Sequence, residues 1–370
     1  MITKLRVVTK QVTVIKLGGS ILKAPQDFDE ILKKLLEQFE GHRLILVVSA
    51  IKGITDLIIS ACENPSKDIL EKILMPYYNA LEELELDNDA YEGLRKLSEE
   101  FVHVIQNCIN SQSYKDKALS FGERASALIV NGWLRSKGYN SRVFGPSDIG
   151  LITTSEYGNA SPLMPYVLFN IKGSLEKVII NGVIPVIPGF IGVNAEGNIT
   201  TMGRGASDLS AVLVAQSLEA NNLYLITETP GIMSADPKIV PDARVVPLID
   251  LDEARVAAEY KVKNLHKKTF DYISGFSGVI KIVNKNFIGT TITGSYSPDY
   301  IKIVTNHNDL LIIIGRGVNK DIKYLLNAIN LNKWNVLNLN EVHAVLKTPS
   351  NVYDVMCKVH KVILGMWGDE

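Results

Sequence analysis

The feature that most constrains this chain is an alternation. Over roughly the first 290 residues, short β-branched apolar runs take turns with longer segments whose apolar residues recur every three or four positions. Strands separated by helices pair in parallel, with the helices covering the sheet, so the expected class is α/β with a mainly parallel central sheet and helices on both faces. Residues 11–16 and 43–49 read as strands that end in small or polar residues, as parallel strands do where they deliver loops to a site. Residues 178–180, 184–187 and 223–227 read as further strands. From 66 to 113 the chain becomes charged, with Leu, Ile, Tyr and Val three or four apart, and helices without chemistry of their own are expected there.

A polar segment at 295–299, containing Pro298, ends this pattern, and the domain boundary is placed there: residues 1–294 and 295–370. The second part reads as strands at 301–304 and 310–314, a helix from about Asn319, strands through Val336 and at 342–346, and a last helix. Ile322, Leu325, Leu326 and Ile329 form one apolar helix face, and Val352, Val355, Met356 and Val359 another. A core of this size is small, so the module is expected to pack on a copy of itself or on the larger domain.

Charge and cysteine usage remove several function classes. With 39 Lys and Arg against 40 Asp and Glu, no basic field exists to hold nucleic acid or an anionic membrane, so any phosphate binding has to be local. Cys62, Cys108 and Cys357 are far apart in sequence and form no CxxC, and the six histidines show no metal-ligand spacing, so a reducing, cytoplasmic setting and no protein metal cage are expected. No apolar run approaches the roughly 20 residues that span a bilayer, and the first residues carry no signal-like core; neither secretion nor membrane insertion is expected.

Five segments carry chemistry. Lys16-Leu17-Gly18-Gly19-Ser20 puts a cation at a strand end beside glycines whose N–H groups can approach phosphate, although a Gly-Gly turn is also simply a turn. Ser49 and Thr55 follow the next strand; they can bond a carboxylate, or Thr55 can cap the helix that follows. Glu123 and Arg124 lie among small and apolar residues, where Glu123 can hold an ammonium or pair with its neighbour. The segment 192–210 surrounds Arg204, Ser207 and Asp208 with glycines before an apolar helix, as an anion-binding loop does. Residues 227–238 follow a strand with turn formers that can wrap a nucleotide, with Lys238 near its phosphates.

In this order the segments resemble the aspartate kinase family, whose patterns are KFGGTS, VSAxxGxTD, a GER box, TTLGRGGSD and TDVxGxYTADPR, and the resemblance covers most of residues 12–293. It implies an amino-acid-kinase catalytic domain with a small α+β module resembling an ACT domain. It also implies transfer of phosphate from MgATP to the side-chain carboxylate of aspartate, at the entry to lysine, threonine and methionine synthesis, with magnesium held mainly by ATP oxygens. Carried over residue by residue, Lys16 stabilises the transferring group and Asp208 organises that lysine. Arg204 takes the α-carboxylate and Glu123 the α-ammonium, while Ser49, Thr55 and Ser207 line the side-chain pocket. Gly18, Gly19, Ser20, Thr227, Gly231, Met233, Asp236, Lys238 and Lys263 fall to ATP, the last because KVKNLH resembles AKVLH.

The chain departs from the family at several points. KLGGSI lacks one of two successive hydroxyls, Glu228 stands where the family has Asp, Met233 where it has Tyr, and Lys267 where it has Pro. A homoserine acceptor and an amino-acid sensor with an inactive kinase domain therefore stay open as alternatives. Family members commonly carry two ACT modules and this chain has room for about one, which leaves a paired amino-acid effector site open; an unpaired sheet edge in the module makes a homodimer the expected assembly.

Overall fold

A computed structural model describes residues 10–294, 297–329, 335–348 and 351–367, so Ser295 and Tyr296 of the boundary segment lie outside the described residues. The chain divides into two compact units, Met1–Tyr224 and Leu225–Glu370. The change of periodicity near residue 295 marks a change of sheet within the second unit, not the cut between compact units.

In the first unit the order is β1 (Val12–Leu17), α1 (Pro25–Gln38), β2 (Arg43–Val48), α2 (Ile54–Glu63), α3 (Lys67–Glu83), α4 (Asn88–Ile105), α5 (Gln112–Leu119), α6 (Phe121–Ser136), β3 (Ser141–Val143), α7 (Tyr166–Ile180), β4 (Ile184–Pro188), β5 (Ile191–Val193), β6 (Ile199–Thr201), α8 (Ala206–Ser217) and β7 (Asn222–Ile226), which runs on into the second unit. Strands β3, β4, β2 and β1 lie side by side and parallel. Lys16 is opposite Val47 and Leu17 opposite Val48, which brings the ends of β1 and β2 together. Helix α1 shows why such helices form: Phe28, Ile31, Leu32 and Leu35 fall on one buried face, each contributing about 1.5–3 kcal/mol by leaving water.

Residues 178–180, expected as a strand, are instead the last turn of α7. The helical spacing of its buried Val167, Ile171, Leu175 and Ile179 overrides the local β-branched run. The helices expected over 66–113 are α3 and α4, with a short 3-10 turn at Cys108–Asn110.

The second unit continues with β8 (Leu248–Asp250), α9 (Leu251–Glu259), α10 (Lys267–Asp271), β9 (Val279–Val283) and β10 (Gly289–Thr293). Strand β10 pairs antiparallel with β9 and parallel with β8. Then come β11 (Ile303–His307), β12 (Leu310–Ile314), α11 (Val318–Ala328), β13 (Asn335–Leu339), β14 (His343–Lys347) and α12 (Val352–Met366). The last four strands form an antiparallel sheet in the order β11-β12-β14-β13. The apolar faces of α11 and α12 pack on this sheet, and the same core takes in Ala235 and Val240 of the loop after β7. The small module thus finds its packing partner within its own unit.

Candidate active site

Helix α8 is buried on nearly every side, and its first turn faces the end of β1. Gly205 occupies the N-cap at φ +78°, a left-handed conformation that suits glycine. Asp208 stands in that first turn, where the positive end of the helix favours a carboxylate. Its Oδ1 lies 2.6 Å from Lys16 Nζ, and the two side chains are 11% and 14% exposed. Gly189 lets the end of β4 close on this turn: a Cβ there would come within 2.9 Å of the Ser207 Cβ.

Beside this pair, the first turn of α6 holds Glu123, 4% exposed. Burial pushes its carboxyl up to about 8, partly offset by N–H groups of Ala50 and Glu123 and by the Lys16 charge. Its Oε2 has no hydrogen-bond partner among the described residues. The neighbouring arginine does not neutralise it, because Arg124 Nη2 turns to Glu100 Oε2 at 3.0 Å. Glu123 is thus a buried acid with one unpartnered carboxylate oxygen.

Ala50 explains the close packing here. A Cβ on Gly19 would fall 2.4 Å from the Ala50 carbonyl oxygen, and one on Gly122 2.5 Å from the Ala50 Cβ. The fully buried Tyr77 hydroxyl braces the same point, accepting from the Ile51 N–H (3.2 Å) and donating to the Gly122 carbonyl (3.0 Å).

Ser49 follows β2, its N–H donating to the Leu17 carbonyl (3.0 Å). Thr55 sits inside the first turn of α2, and Gly53, at φ +88°, takes the cap that Thr55 could have filled. Ser207 is buried at the start of α8. Arg204 differs: its side chain is 92% exposed, with Asp56 Oδ1 at 3.9 Å, and it does not enter the buried group around Glu123.

Sequence reasoning missed Tyr77, Gly189 and Asp116. Asp116 is fully buried and accepts the N–H groups of Thr201 (2.7 Å) and Gly158 (2.9 Å), tying α5 to the hairpin that leads into the Arg204 loop. On a helix rich in polar residues it reads as solvated, and only tertiary contact distinguishes it.

The second unit holds a cavity of about 460 Å³, lined by Gly231, Met233, Asp236 and Lys238, by Lys261, Lys263 and Asn264 after α9, and by part of β11. Three lysines against one carboxylate make it suited to a polyanion. Asn264 Nδ2 donates to the Gly231 carbonyl (2.9 Å) and to Thr229 Oγ1, which ties the two lining loops together. Gly231 has φ +93°, and a Cβ there would come 2.6 Å from the Thr290 nitrogen. Thr227, just after β7, donates its N–H to the Val283 carbonyl (2.8 Å) and is not among the lining residues. Among the described residues, no group of three or more His, Cys, Asp or Glu is placed to hold a metal ion, and no helix is long and apolar enough to cross a membrane.

The model of the amino acid kinase family matches residues 11–284. Aspartokinase 2, chloroplastic, of Arabidopsis thaliana is 28% identical over 68% of this chain and 48% of its own length. The chain spans about half the length of the first curated relatives it matches. In fold it is similar to E. coli aspartokinase III in complex with aspartate and ADP (TM-score 0.73, 22% identity, 93% of this chain and 80% of that one). It is likewise similar to the aspartate kinase of Clostridium acetobutylicum (TM-score 0.74, 18% identity, 95% and 100%).

Proposed function

The chain belongs to the amino acid kinase family, and from that premise we propose that it transfers the γ-phosphoryl group of MgATP to the side-chain carboxylate of L-aspartate. The observation that carries this reading is the Lys16–Asp208 pair beside Glu123, a buried acid with an unpartnered oxygen. The acceptor's α-ammonium binds that oxygen and keeps Glu123 ionised, which orients the side-chain carboxylate toward Lys16. Arg204, at the solvent edge, closes on the α-carboxylate, while Ser49, Thr55 and Ser207 line the acceptor pocket. The curated relatives are aspartokinases, and the E. coli neighbour binds aspartate and ADP, the two ligand classes assigned here to the first and second units.

Transfer is an in-line displacement. A carboxylate oxygen forms the new bond to Pγ as the bond from Pγ to the bridging oxygen breaks, and ADP leaves with that electron pair. Lys16, the N–H groups of the Gly18–Gly19 turn with Ser20, and the N-terminal end of α8 offset the charge on the phosphoryl oxygens. The cavity in the second unit takes the nucleotide, with Lys238 and Lys263 toward the phosphates; magnesium enters with ATP, held mainly by phosphate oxygens.

A carboxylate acceptor needs no general base, whereas the alcohol of homoserine must lose a proton. Asp208 is engaged by Lys16, and Glu123 is occupied by the ammonium, so the site favours a carboxylate. Coupled ADP-release assays with aspartate, homoserine, serine and glutamate test this choice. Turnover is expected with aspartate; turnover with homoserine alone would reject it, and no turnover with any acceptor would favour a sensor.

We also assign the β13 edge, with Val336, Leu337 and Leu339 exposed, to pairing with a second copy of the chain. Light scattering is expected to give twice the chain mass, and Leu337→Lys to shift it toward the monomer. A wild-type monomer would remove this assignment.

A further inference from the structure

The lining of the cavity in the second unit divides by chemistry. Lys238, Lys261 and Lys263 suit phosphates, whereas β11 brings to the opposite side the half-buried Thr305 and, behind it on the same strand face, the buried Ile303; Val304 turns the other way, into the core under α11 and α12. Nucleotides divide the same way, into a polyanionic end and a planar base. The half-buried thioether of Met233 adds a soft, polarisable contact of the kind that packs well on flat rings.

The C-terminal sheet is locked to this cavity at two points. At the first, the Val304 N–H donates to the Ser234 carbonyl (2.8 Å), and Ser234 Oγ lies 2.8 Å from Nε2 of the buried His360 on α12. At the second, Lys302, which leads into β11, is fully buried and donates to Glu253 Oε1 (2.6 Å), Ser297 Oγ (3.1 Å) and the Pro298 carbonyl (2.7 Å). Glu253 belongs to the capping box of α9, and α9 leads directly to Lys261 and Lys263. One ion pair therefore joins the roots of two cavity walls. A buried pair of this kind stabilises little compared with apolar side chains of the same size, but it fixes geometry.

We propose that β11 is the wall against which the base of the bound nucleotide rests, and that Lys302 and Glu253 are positioning residues that set this wall relative to the lysines. This rests on the kinase reading above. It makes the C-terminal module part of the nucleotide site, beyond any role in effector binding or assembly.

The test uses the full chain, with ADP titrated by calorimetry into wild type, Thr305→Tyr and the double variant Glu253→Gln/Lys302→Met, which removes both buried charges together. Thr305→Tyr fills the cavity and is expected to weaken ADP binding about tenfold and raise KM for ATP alike, with KM for the amino acid within about twofold of wild type. The double variant is expected to show the same split. A folded Thr305→Tyr protein that binds ADP as wild type does overturns the wall while leaving the kinase reading intact. A folded double variant with wild-type ADP affinity overturns the positioning role, and a double variant that fails to fold overturns it as well, since the pair then holds up the fold and not the wall in particular; Thr305→Tyr still decides the wall. Wild type that binds no ADP overturns the kinase reading and the wall with it.

Discussion

Lys16→Met is expected to lower kcat by about a thousandfold, the loss usual when one preorganised charge facing a transferring group is removed. The ammonium acts where charge develops on the phosphoryl oxygens, so nucleotide affinity should change far less than turnover. The substitution also leaves Asp208 without its partner at a site only 11% exposed, and some loss of stability is expected from that alone. Lys16→Met/Asp208→Asn separates the two effects. It should recover thermal stability without recovering turnover. Steady-state kinetics beside thermal melts make the check, and full activity in either variant would remove Lys16 from the chemistry.

Glu123→Gln is expected to pull function and stability in opposite directions. Losing the carboxylate should weaken acceptor binding by about two orders of magnitude while nucleotide binding stays unchanged. The folded-state value of about 8 lies above the ordinary 4.5, so between these pH values the native chain holds a proton that the unfolded chain releases. Stability therefore falls as pH rises through that window, and a neutral glutamine escapes the loss. The variant should melt higher than wild type near pH 8, with the difference closing toward pH 5. The same titration predicts that wild type releases about one proton on binding the acceptor below pH 8, seen as calorimetric heats that depend on the buffer. A variant with normal acceptor affinity, or no proton release in wild type, would contradict the assigned role.

What is legible in the sequence is what local pattern carries. The strand ends at Lys16 and just before Ser49, the glycines at 203 and 205, and the amphipathic faces of α11 and α12 all follow from neighbours in the chain. What the sequence hid depends on distant contacts. The run at 178–180 has strand-like residues, yet it closes a helix whose other buried positions lie up to 11 residues earlier. Arg124 follows Glu123 directly, and only the fold shows that it bonds Glu100. Cys62 and Cys108, far apart in sequence, are both buried and come close enough in the fold for each thiol to shift the other's titration. The change of pattern near 295 is real, but the core running from Ala235 to α12 could not be read from it, because the loop that joins this core lies 60 residues upstream.

The most direct test of the central claim is to trap the product. An acyl phosphate reacts with hydroxylamine to give a hydroxamate, whereas a phosphate ester does not. With MgATP, L-aspartate and hydroxylamine, the protein is expected to form aspartyl hydroxamate at the rate at which ADP appears, and Lys16→Met is expected to form almost none. ADP formed without hydroxamate, or only when homoserine replaces aspartate, would contradict it.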